Sequence, residues 1–172
     1  MLCIMKKLVP YFILLFAFIS CQDDVKFNNP AFEGQKDNVF WRAIDSKAIL
    51  AANGSLSIEG YTRNEKLILK TTSKNPGSYI LGINNLNTAT YVLEGVSPKI
   101  IFMTGIDIGN GEIVIEEYDA VNNTVTGTFK FKAVNVNNNP LAGPFLNFQY
   151  GHFYKTPIST STSLITLHPG TP

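Results

Sequence analysis

The chain has 172 residues, with 14 basic and 13 acidic side chains and two cysteines. Such a balance supplies no basic field for phosphate groups, which argues against nucleic acid as a partner. Both cysteines, Cys3 and Cys21, precede the polar run at Gln22, so any domain beyond it lacks a disulfide and depends on its hydrophobic core.

Lys6 and Lys7 are followed by Leu8–Ile19, an uncharged run interrupted by Pro10. As a helix it spans about 18 Å, against about 30 Å for a bilayer core. The stretch therefore reads as the apolar region of a secretion signal. Phe18-Ile19-Ser20-Cys21 resembles the bacterial lipobox, with Phe18 at the position usually held by Leu. The resemblance implies cleavage after Ser20 and lipid attachment at Cys21. Residues 1–20 are then a lipoprotein signal peptide, with Met5 as an alternative start to Met1. One acyl chain holds a protein only marginally to a membrane and two or more hold it stably, so the membrane is the first expected partner. Gln22-Asp23-Asp24 resembles the export signal of Bacteroidota-type lipoproteins, which implies an outer-membrane location and exposure at the cell surface. Lys6 and Lys7 are the only charges in the signal, so the mature chain carries 12 basic and 13 acidic residues. Its length of about 150 residues suits one domain.

Residues 21–38 are expected to form the lipidated cysteine and a flexible tether. The β domain is expected over 39–154, where hydrophobicity alternates with period two. Val39, Trp41 and Ala43 share one face; Lys47–Ala52 fits either a strand or a helical turn. Asn53-Gly54 predicts a two-residue type I′ hairpin turn. Leu56, Ile58 and Gly60 alternate with Ser57, Glu59 and Tyr61, and Leu67 and Leu69 follow. Asn75-Pro76-Gly77 marks a turn. Ala89, Tyr91 and Leu93 alternate, and the apolar run Ile100–Met103 predicts a strand buried on both faces. Ile108–Gly111 is a turn. Ile113 and Ile115 lead through Asp119–Asn123 into the clearest pattern of the chain: Val125, Gly127, Phe129, Phe131 and Ala133 face the core, and Thr126, Thr128, Lys130 and Lys132 face away. A final strand places Leu146, Phe148 and Tyr150 on one face. Residues 155–172 read as a Ser/Thr/Pro-rich tail.

Turn signals every 8–12 residues, with no helix of ten or more, predict an all-β protein. The expected fold is an antiparallel, meander-rich β-sandwich or flattened barrel of about 8–10 strands. The segment Leu56–Phe153 resembles a family of Bacteroidota lipoproteins defined only as a domain of unknown function. The likeness rests on LSIEGY (Leu56–Tyr61), PGSYIL (Pro76–Leu81), GEIVIEEYD with NNTVTGTFKFKA (Gly111–Ala133) and GHF (Gly151–Phe153). It implies location and fold, and brings no catalytic or binding residues.

Side chains that carry chemistry are sparse. His152 falls in the last strand, at the core or its rim, and His168 in the tail. A zinc site needs three or four nitrogen or sulfur ligands, so no metal or other cofactor is expected. No Gly-x-Ser-x-Gly elbow occurs. Glu116, Glu117 and Asp119 form an acidic cluster, but neighbours on a strand point to opposite faces, unlike the facing carboxylates of glycosidases. Asp107–Glu112 lacks the spaced acids of an EF-hand loop. Tyr61 and Tyr118 fall opposite the apolar positions of their strands and are candidates for stacking on a ligand. No catalytic residue is assigned, and the protein is expected not to be an enzyme. The expected role is a membrane-anchored binding or structural module facing outside or the periplasm, with glycan, peptide or protein as ligand. The alternative is a small hydrophobic-ligand carrier with a β-barrel cavity.

Overall fold

The computed structural model describes residues 30–160. Cys21 with its signal, and residues 161–172 of the expected tail with His168, lie outside the described residues. Eleven strands form the domain: β1 (Ala31–Lys36), β2 (Val39–Arg42), β3 (Asp45–Leu50), β4 (Leu56–Tyr61), β5 (Glu65–Thr71), β6 (Gly77–Leu81), β7 (Thr88–Leu93), β8 (Ile100–Met103), β9 (Asn110–Asp119), β10 (Thr124–Asn135) and β11 (Phe145–Thr160). The described residues contain no helix.

The pairing gives a flattened barrel of two layers. The first runs β2-β1-β11-β10-β9-β6 and the second β3-β4-β5-β7-β8. Two long strands join them. β11 pairs with β1 along Phe148–Tyr154 and then, in parallel, with β3 at Ile158–Thr160. β10 pairs with β9 over Thr124–Lys132 and then with β8 at Val134 and Asn135. Each long strand thus changes partner layers part-way along, which closes the hydrogen-bonded circuit at both corners. Consecutive hairpins dominate, as the turn spacing predicts.

The alternating positions of β4, β5, β9 and β10 point inward as read from the sequence: Ile58, Leu67, Leu69, Ile113, Ile115, Val125, Phe129, Phe131 and Ala133 are buried. The space between the layers is filled by rings. Phe148 sits at its centre, 5.2 Å from Phe131, 5.5 Å from Trp41, 5.8 Å from Phe129 and 6.2 Å from Tyr91. Phe32 meets Trp41, Phe129 and Phe153 edge-on, the geometry favoured by the ring quadrupole.

Gly127 leaves room for this packing. A Cβ there would lie 2.0 Å from the Val114 carbonyl oxygen and 2.6 Å from the Phe153 ring. The oxygen belongs to the ladder of β9 and cannot yield cheaply. Gly127→Ala is expected to destabilise the domain by about 1–3 kcal/mol, the usual range for overpacking. Thermal unfolding checks this, and an unchanged melting temperature would contradict it.

Several expectations need correction. β1 lies within the expected tether, and β11 continues through Thr160 into the expected tail, so the domain exceeds 39–154 at both ends. The stretch 51–55 is a longer loop than a type I′ turn: Gly54 donates to the Ala51 carbonyl, Ala51 to that of Ser55, and only Gly54 takes positive φ, at 84°. Of the two readings left open for Lys47–Ala52 the strand holds, as far as Leu50, while Val39, expected on one face with Trp41, is exposed at the β1–β2 tip and Trp41 is buried. In β8 only Ile100 and Phe102 are buried, because the sandwich covers one face. Tyr150 points outward.

Candidate functional site

The reversal at Tyr150 comes from a β-bulge. Phe129 pairs with Gly151 but Phe131 with Phe148, so Lys130 opposes both Gln149 and Tyr150. The extra residue is accommodated by Tyr150 itself, at φ 50°. Left-handed backbone costs an L-residue roughly 1–2 kcal/mol, and bulges commonly place glycine there. Before the bulge Leu146 and Phe148 face the core; after it Gly151 and Phe153 do. The Tyr150 ring is left 77% exposed on the outer face of the first layer.

Two contiguous grooves flank this ring, of about 400 and 300 Å³, and both are lined by Lys130 and Tyr150. The larger also holds Asn110, Lys132, Asn147 and Gln149; the smaller holds Glu112, Thr128 and His152. Strand alternation sends these side chains outward while their neighbours fill the core. In the smaller groove the charged side chains have partners. Glu112 accepts from Ser78 and pairs with Lys130 at 3.4 Å; these contacts, the Ser78 hydroxyl first, hold its carboxyl below the ordinary value. His152 Nε2 lies 3.2 Å from Glu33, which also meets Arg42 at 3.1 Å. In the larger groove Lys132 Nζ lies 4.0 Å from the centre of the Phe145 ring.

A second cluster lies between the layers. Glu65 on β5 accepts from Lys36 on β1, from Trp41 Nε1 on β2 at 2.5 Å and from the Tyr91 hydroxyl on β7 at 2.5 Å. Lys36 also donates to the Tyr91 oxygen at 2.8 Å. Burial pushes the Glu65 carboxyl up, but donation from Lys36, Tyr91 and Trp41 outweighs it and holds the carboxyl below its ordinary value. Burial, then the Glu65 carboxylate, pushes the Tyr91 hydroxyl up. These groups satisfy one another and tie the β1–β2 hairpin to the opposite layer.

The other residues singled out by sequence are dispersed. Tyr61 donates to Glu59, and Lys47 and Lys66 lie 5.5 and 5.2 Å from its ring centre. Tyr118 is covered by Lys74 at 4.3 Å. The two tyrosines stand on β4 and β9, in different layers, and do not form a pair. Asp119 accepts from the Val121 and Asn122 amides and shapes a turn. Glu116 and Glu117 are exposed on β9. Among the described residues no group of three or more His, Cys, Asp or Glu is placed to hold a metal ion, and no helix is long and apolar enough to cross a membrane. Alternation alone misses Tyr150; the signal for it is the glycine that follows, since an isolated glycine in a strand pattern marks a bulge.

A family model described as "Domain of unknown function (DUF6252)" matches residues 28–157. That span includes β1 and the portion of β11 that carries the bulge. No curated protein and no solved structure matches the chain.

Proposed function

The chain belongs to the DUF6252 family, and we propose that it is a lipid-anchored outer-membrane lipoprotein of the Bacteroidota type, whose β domain is a non-enzymatic binding module facing outside or the periplasm. The observation that carries the binding role is the Tyr150 groove. An aromatic ring is held outward at the cost of left-handed backbone, beside free amides, on a rigid two-layer scaffold. Strained residues of this kind persist where the surrounding structure overdetermines them and cluster at ligand sites. The anchor reading rests on Lys6-Lys7, the short apolar run and Phe18-Ile19-Ser20-Cys21. The non-enzymatic reading draws support from Lys36, Glu65 and Tyr91, which converge but bond to one another. The carrier alternative requires a cavity between the layers, and Phe129, Phe131, Phe148 and Trp41 occupy that space.

Cells fed a palmitate analogue are expected to label the wild-type protein and not Cys21→Ala. Protease added to intact cells then separates the surface from the periplasm. An unlabelled wild-type protein would end the lipoprotein reading.

A further inference from the structure

We propose that the larger groove beside Tyr150 is a carbohydrate site, in which a sugar ring stacks on the tyrosine and its hydroxyls bond to the amides of Asn147 and Gln149. This rests on the reading of that groove as the binding site. The argument is one of chemical complementarity. Among the described residues the side-chain amides of Asn110, Asn147 and Gln149 and the Tyr150 hydroxyl have no hydrogen-bond partner. An amide offers a donor and an acceptor side by side, which matches vicinal hydroxyl groups. A flat ring beside such amides suits the apolar C–H face of a pyranose. Both lysines of the groove already have partners: Lys130 is paired with Glu112 and Lys132 lies over the Phe145 ring.

The fold disfavours an extended peptide. A peptide added to a sheet needs a free strand edge. Both edges of β10 and of β11 are paired along the groove, with each other and with β9 and β1. Only side chains remain to recognise a ligand.

The backbone at Tyr150 provides a test that separates binding from folding. Glycine adopts φ near 50° without the steric penalty of a Cβ, so Tyr150→Gly removes the ring while relieving the bulge. The full-length protein in detergent would be run by affinity electrophoresis in gels containing the uncharged polysaccharides soluble glucan, glycol chitin or galactomannan, with a casein digest as the peptide arm. The expected result is retardation by at least one polysaccharide, weakened about tenfold or more in Tyr150→Gly, as for a central aromatic contact. The variant should melt at or above the wild-type temperature, and Asn147→Ala with Gln149→Ala should also weaken retardation. Retardation by peptides alone, by no polysaccharide, or equally in Tyr150→Gly would overturn the proposal. So would a Tyr150→Gly protein that melts lower, since the ring would then serve the fold. Palmitate labelling is read separately: an unlabelled protein that still binds polysaccharide overturns the anchor and leaves the site standing.

Discussion

Phe148→Ala is expected to cost the domain about 3–5 kcal/mol, the range for truncating a buried phenylalanine. A domain of this size has roughly 6–20 kcal/mol in total, at about 0.05–0.15 kcal/mol per residue. Phe148 is fully buried and touches rings from both layers: Trp41 on β2, Phe129 and Phe131 on β10, and Tyr91 on β7. These neighbours are held by separate strands and cannot collapse together onto the space left behind. Urea unfolding of the two proteins, with an unchanged slope, measures the loss. A cost under about 1 kcal/mol, typical of surface substitutions, would show that the layers relax freely around this position.

The second large effect is expected from Glu65→Gln. The substitution keeps the shape of the side chain and removes its charge, leaving the Lys36 ammonium without its counter-ion between the layers. Lys36 and Glu65 side chains are 24% and 17% exposed, so the cost falls somewhat below the range for a fully buried pair, at about 2–4 kcal/mol. Replacing both partners, as Lys36→Met with Glu65→Leu, should recover much of the loss, because no lone charge remains. The pair also contributes to acid sensitivity. Glu65 is held below its ordinary value of 4.5 in the folded protein, so its contribution is present above that value and is lost as pH falls through the folded one. The stability gap between wild type and Glu65→Gln should therefore narrow on acidification below about pH 4.5. A gap that stayed constant down to pH 2 would mean that the carboxylate charge is not what holds the hairpin.

How legible each feature is in the sequence depends on how local its cause is. β10 can be read directly, because shifting its register by one residue would bury Lys130 and Lys132 and expose Phe129 and Phe131. β1 is nearly invisible. Only Phe32 gives it an apolar signal, and its partner β11 lies at the far end of the domain. The Lys36–Glu65–Tyr91 cluster has no pattern to find, since its members come from three strands and meet only when the layers close. Tyr150 is the instructive failure. Strict alternation assigns it to the core, and one extra residue in the β11 ladder turns it outward. The candidate site is thus formed where the two-residue period breaks.

β11 also governs the order of events. It is the final strand among the described residues, and it pairs with β1, β3 and β10; Ala31, which opens the domain, lies opposite Tyr154. A chain threaded N-terminus first through a translocation pore presents β1 long before any partner for it has arrived. The corner of the circuit at β11 cannot close until residues near Thr160 have emerged, so complete closure waits for nearly the whole domain. Dominance by distant pairings slows folding and lengthens the exposure of unpaired strands. For a chain exported as proposed above, the same topology would be useful: it would keep the chain unfolded until passage is almost complete.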